Sequence, residues 1–214
     1  MNSPRRNADV SWSCLSASAG PDHPDRGRAE LLDAATALFA SRGFDRASLA
    51  AVGERAGVSR GLPGYFFRDK QSLYQAVMER ATSRVRQVVL DTIQSLPAAR
   101  SAEEVLTALV NAYIDFLAAN PEAVRLLQWE YLNPLQTRQA APVAVFDEAV
   151  VVVKRALRRS GYTGVDGRLL LFSVVGMCFF PFAYAQTVGR SPAFVAAYKK
   201  HVVRLLFEGI QGKR

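Results

Sequence analysis

Apolar residues recur at three- and four-residue steps along nearly the whole chain, and no stretch alternates at every second position for long enough to demand a sheet. The pattern predicts an all-α protein. A first helix runs from Arg28 to Ala40 with Leu31, Leu32, Ala35, Leu38 and Phe39 on one face, and Ser41, Arg42 and Gly43 end it. Ser48 then stands before Leu49, Val52 and Ala56, so its hydroxyl is placed to cap a short second helix that Gly57 stops. Val58 plugs the turn, Ser59 caps a third helix carrying Arg60, Gly61, Leu62, Tyr65 and Phe66, and Asp69 caps a fourth.

The remainder is helical as well. Gln71 to about Leu96 is a long helix with Leu73, Val77, Val85, Val88, Val89 and Ile93 inward, ended by Pro97. Ser101 and Glu104 form a capping box for a helix reaching Ala119. Further helices span Pro121 to Leu132, Pro142 to Ser160 with Gly161 closing it, Val165 to Val188, and Pro192 to Ile210. Residues 1–25 are rich in Ser, Pro, Asp and Arg and read as a disordered extension. Polar residues interrupt any apolar core after its arginines, so it does not read as a signal peptide.

Three consecutive short helices with a glycine turn between the last two have the layout that carries one helix into a DNA groove. The order helix, SRGF, helix, AGVS, helix, aromatic pair, then an acidic residue and Lys70 before a helix resembles the N-terminal domain of TetR-type transcriptional regulators over roughly residues 26–79. The resemblance implies a helix-turn-helix domain over residues 26–70 and a helical ligand-binding and dimerisation domain over residues 71–214. It also implies a cytoplasmic homodimer on an operator of palindromic half-sites, more often a repressor than an activator, released by a small-molecule effector. By position, Ser48 matches a cap-and-phosphate residue, Arg60 and Leu62 match positions facing base edges, and Tyr65 and Lys70 match positions meeting phosphate. Arginine grips guanine bidentately, while lysine and tyrosine suit the backbone. The departure from the family is Pro63-Gly64, where a leucine-tyrosine pair is usual. With Ser59 as the cap, Pro63 removes about one backbone hydrogen bond.

Charge adds less than its total suggests. The net charge is +8, but residues 1–80 hold 11 Lys and Arg against 9 Asp and Glu, and residues 81–214 hold 16 against 10. The case for nucleic acid therefore rests on local placement of Arg46, Arg55, Arg60, Arg68 and Lys70, with Arg28 and Arg26 near enough to reach a minor groove. Lys154, Arg155, Arg158 and Arg159 suit a helix C-terminus. Cys14 and Cys178 make no disulfide framework, which fits a reducing compartment, and no His/Cys cluster or phosphate loop implies a metal or cofactor.

Two alternatives compete. Gly57-Val58-Ser59-Arg60-Gly61 matches the nucleophile elbow of serine hydrolases, which needs a strand before Ser59 and a histidine beside it. Only His23 and His201 are present, and the residues before Ser59 have helical spacing. The run from Leu169 to Ala185 is uncharged and near the lower limit for a membrane span, but Pro181 and the Asp166 and Arg168 flank oppose that reading. The family pairs its last two long helices across the dimer, which implies a seam of Phe172, Val175, Gly176, Phe179 and Phe180 with Val195, Tyr198, Val202 and Leu205. Large residues expected around a central, mostly apolar cavity are Tyr113, Phe116, Trp129, Tyr131, Phe146 and Met177, with Gln128, Glu130 and Asn133 to orient a ligand.

Overall fold

The computed structural model describes residues 24–97, 100–132, 141–184 and 191–211. Nine helices are described and no strand is present among these residues: α1 Pro24–Arg42, α2 Leu49–Arg55, α3 Leu62–Phe67, α4 Lys70–Ser95, α5 Ala102–Ala119, α6 Pro121–Leu132, α7 Ala141–Arg159, α8 Gly167–Ala183 and α9 Pro192–Gln211. The helix expected from Arg28 starts earlier, at Pro24. The rest of the extension, with Arg5 and Arg6, lies outside the described residues, as do Asn133 and the last residues expected in the eighth helix.

Most boundaries follow from local hydrogen bonding. The Ala51 amide donates to Ser48 Oγ at 3.2 Å and the Ser72 amide to Asp69 Oδ1 at 2.7 Å. Ser101 and Glu104 close the expected capping box, and Asp166 Oδ1 accepts from the Arg168 amide at 2.7 Å and the Leu169 amide at 3.2 Å to start α8. These amides hold the Asp69 and Asp166 carboxyls below their ordinary range, because each bond favours the ionised form. Gly57 turns the chain after α2 with φ of 69°, a conformation any Cβ resists.

Three apolar clusters hold the helices together. The first joins α1, α2, α3 and the first half of α4, around Leu31, Phe39, Val52, Leu73 and Tyr74, and draws in Leu126 and Leu127 from α6. It continues through Ala81, so the helix-turn-helix unit has no packing boundary at residue 70. The second gathers α5, α7 and the start of α8 against the end of α4, and the third gathers the end of α5 with α6, α8 and α9. Burying one such Leu, Val or Phe side chain stabilises by about 1.5–3 kcal/mol. The helix α4 therefore contributes to all three clusters.

Candidate functional site

The turn between α2 and α3 is built differently from its sequence expectation. Ser59 does not cap α3; its carbonyl accepts from the Leu62 amide at 3.1 Å, and Gly61 is the cap, with no side-chain bond. Pro63 thus occupies the second position of α3, where its missing amide costs no helical hydrogen bond. Its ring is buried against Gly53 of α2, where an added Cβ would lie 3.2 Å from both Pro63 Cγ and the Ser59 carbonyl oxygen. Pro63 is therefore a packing residue, and its seat requires a glycine opposite it.

The outward face of this unit carries the cations and one aromatic ring. Arg60, Arg46 and Ser48 are exposed, and Tyr65 is 83% exposed, its ring edge-on to Phe66 at 5.4 Å. Exposed Arg28 lies over the Phe67 ring at 5.3 Å. Two residues are also tied into the fold. Leu62 is half-buried and packed on the first core, so its side chain supports α3 from behind and does not face outward. Lys70 Nζ donates to the carbonyls of Phe44 at 3.1 Å and Asp45 at 3.4 Å and sits 4.3 Å from the centre of the Phe44 ring. Its ammonium braces the α1–α2 loop, with donor capacity left over for an anion.

Between α3 and α4, Arg68 has φ of 54° and ψ of −54°, and the Asp69 amide donates back to the Phe67 carbonyl. This positive-φ γ-turn is a strained form for a non-glycine residue. It lets α4 begin almost at once after α3, with the exposed Arg68 guanidinium 3.1 Å from Asp69 Oδ2.

A cavity of about 580 Å³ lies among α4, α5, α6, α7 and α8. Val85, Val89, Leu109, Leu127 and Leu171 form much of its wall, with Tyr113, Tyr131, Phe146, Phe172 and Phe179 as its aromatic members. Tyr113, Tyr131 and Phe146, three of the residues expected around a cavity, line this one. Phe116 is buried in the third core, and Met177, on the α9 side of α8, uses its carbonyl to accept from Tyr198. Trp129 and Glu130 leave the cavity altogether, because a helix can present only part of its circumference to one space. Trp129 Nε1 donates to the Ala40 carbonyl at 3.4 Å with its ring against Gly43, and Glu130 accepts from the Tyr74 hydroxyl at 3.3 Å. Gln128 donates to the Ala183 carbonyl at 2.7 Å.

The expected dimer residues also divide. Phe172, Val175, Gly176 and Phe179 line the cavity, while Leu169, Phe172, Phe180 and Tyr184 leave an exposed apolar stripe along α8. Leu205 on α9 is 43% exposed. Val202 is fully buried in the third core and Tyr198 is half-buried, so both belong first to the subunit's own packing. Sequence reasoning missed Arg168, Phe172 as a cavity residue, and Leu109. The first sits in a charged flank and the others in unbroken apolar helix faces, so no local signal marks them.

The hydrolase alternative fails on local structure: the segment before Ser59 is α2 and not a strand, and Ser59 is exposed in a turn. No described helix is long and apolar enough to cross a membrane, and no group of His, Cys, Asp and Glu suited to a metal occurs among the described residues. Burial pushes the Cys178 thiol up to about 12, which removes it as a nucleophile.

Two family models match the chain. "Bacterial regulatory proteins, tetR family" covers residues 31–77, and "Tetracyclin repressor-like, C-terminal domain" covers residues 103–203. The HTH-type transcriptional regulator BetI of Escherichia coli O139:H28 (strain E24377A / ETEC) is 36% identical over 98 residues, which is 46% of this chain and 50% of BetI. The chain spans about half the length of the curated relatives it matches. Among solved structures, a TetR-like transcriptional regulator from Rhodococcus sp. RHA1 superposes with a TM-score of 0.69 at 21% identity, over 87% of this chain and 97% of that one. The transcriptional regulator FadR from Bacillus subtilis, in complex with stearoyl-CoA, gives 0.67 at 18% identity over 85% and 98%. Both likenesses are of fold.

Proposed function

We propose that this chain, which belongs to the tetR family of bacterial regulatory proteins, is a DNA-binding transcriptional regulator whose hold on its operator is set by a small molecule in the cavity. The observation that carries this reading is the double duty of α6. Leu127 and Tyr131 line the cavity, while Trp129 and Glu130 of the same helix bond to Ala40 of α1 and Tyr74 of α4, inside the core that supports α3. A ligand that moves α6 moves the base of the DNA-binding unit.

In this reading residues 26–70 meet DNA and residues 71–214 hold the ligand and pair two subunits. Arg60 reaches base edges, Tyr65, Ser48 and Arg46 take phosphates, and Arg28 lies near the flanking groove. Lys70 adds a phosphate contact from its brace on the loop. Two copies joined along the exposed faces of α8 and α9 set their α3 helices into successive major grooves, roughly 34–36 Å apart on palindromic half-sites. A ligand that prefers another spacing draws the population off the operator, which makes repression released by an effector the working mode, in the cytoplasm. The wall of the cavity suits an apolar effector, and one fold relative carries stearoyl-CoA.

The test is a mobility shift on DNA from the chain's own promoter region at low salt. Arg60→Ala and Tyr65→Ala should weaken binding with unchanged thermal stability, because both side chains are exposed. Lys70→Ala should lower both, because its ammonium also holds two loop carbonyls. Wild-type protein that shifts no such fragment would overturn the reading.

A further inference from the structure

The cavity has one place for a charge. Arg168 is the residue with a formal charge among the described residues that line it, and the polar groups at the Phe179 end stay neutral. There the Tyr113 phenol is raised above its ordinary range, by burial first and then by its Tyr131 and Cys178 neighbours. Arg168 opens α8 and Phe179 stands near its end, so eleven helical steps put roughly 16 Å between the two ends of the space. The cavity is therefore long, apolar along its length and basic at one end.

The geometry points to an anionic amphiphile as the ligand: an extended hydrocarbon body along α8, with its head group received by the Arg168 guanidinium. This rests on the reading of the cavity as the effector site. Arg168 is half-exposed and lies 6.0 Å from the centre of the Phe146 ring; among the described residues its guanidinium donates one bond, to Asp147 Oδ1 of α7 at 2.5 Å, and also feels the nearby Asp166 carboxylate. That leaves most of its donor fork for a second carboxylate or phosphate oxygen. The pair with Asp147 is solvated on both sides, and such pairs contribute little, so an arriving anion displaces Asp147 at small cost. Phe146 and Phe172, with ring centres 4.3 Å apart, wall the same end and bring the first carbons of the chain onto aromatic surface. A cationic head group would be repelled by the guanidinium, and a neutral one would accept a hydrogen bond without the pairing of opposite charges or the bidentate fit.

Calorimetric titration of the full chain with decanoate and with 1-decanol, at a pH where the acid is ionised, tests this. The two probes share a chain and differ in charge. Decanoate should bind at least about tenfold tighter than decanol, because only the carboxylate brings an opposite charge and accepts from both arms of the guanidinium fork. Arg168→Gln should bring the affinity ratio near unity, and Asp147→Asn, which removes the competing carboxylate, should tighten decanoate severalfold. Val89→Phe, which fills the wall, should weaken both probes. Equal wild-type affinities, or a ratio that Arg168→Gln leaves unchanged, overturn the anionic ligand; if Val89→Phe still abolishes both probes, the effector cavity stands. If neither probe binds the wild type, the anionic amphiphile and the effector cavity fall together.

Discussion

The Tyr198 hydroxyl donates to the Met177 carbonyl at 2.7 Å, and that carbonyl is the one Pro181 leaves without an amide. In an unbroken helix the residue four places on would donate to Met177; proline has no N–H to give. A side chain from α9 thus repairs the backbone of α8 and welds the two helices.

Tyr198→Phe should cost about 1–2 kcal/mol, since it strands a carbonyl in a partly buried place. Tyr198→Phe should cost much less in a Pro181→Ala background, where an amide is again available. Urea unfolding of the four proteins of that cycle measures the coupling, and additive effects would refute the repair.

Gly43 ends α1 with φ of 73°, and an added Cβ there would lie 3.3 Å from the Trp129 ring. Gly43→Ala should destabilise by about 1–2 kcal/mol from the backbone alone, with more from the ring. The ring's share should vanish in Trp129→Ala, so the glycine substitution should be milder in that background. Denaturant midpoints of the single and double variants decide it, and an equal cost in both would mean that the indole exerts no pressure on α1.

Burial holds the Glu130 carboxyl above its ordinary range, partly offset by the hydrogen bond from Tyr74. The folded state then keeps a proton that the unfolded chain releases. The stability this group contributes is accordingly full below about pH 4 and declines as pH rises through the folded value. Glu130→Gln keeps an acceptor for Tyr74 without the charge. Its melting temperature should exceed wild type at neutral pH, and the gap should close in mild acid; a gap that is independent of pH would count against burial as the cause.

Phe180 is 61% exposed on α8, and Val202 of α9 is fully buried in the third core. Phe180→Arg should leave each subunit folded and shift sedimentation toward the monomer. Val202→Arg should cost upward of about 3 kcal/mol and lose cooperative unfolding, because it forces a charge into a core. A folded, dimeric Phe180→Arg would remove this stripe of α8 from the seam.

Much of the fold was legible because its signals are local. The caps at Ser48, Asp69 and Ser101 and the stop at Gly57 act within three or four residues, the range over which a side chain reaches its own backbone. The same reasoning misplaced the start of α3 at Ser59. Ser59 and Gly61, two residues apart, both offer a cap, and Gly61 is the one compatible with the seat of Pro63 on Gly53, a contact between two helices. Tyr113, Tyr131 and Phe146 line the cavity, whereas Trp129 and Glu130 turn to the other face of α6, since residues adjacent in sequence point about 100° apart on a helix.

By itself the sequence determined the helical class, the order of the helices, most of their caps, and a family likeness carried by short motifs over residues 26–79, because periodicity and capping need nothing distant. Only the tertiary structure decided that Lys70 braces the loop before α2, that Leu62 and Val202 turn inward, that α6 joins cavity to DNA-binding unit, and that Arg168 stands at the mouth. Each of these depends on the angle and depth at which helices far apart in sequence cross, and a single helix carries no record of that.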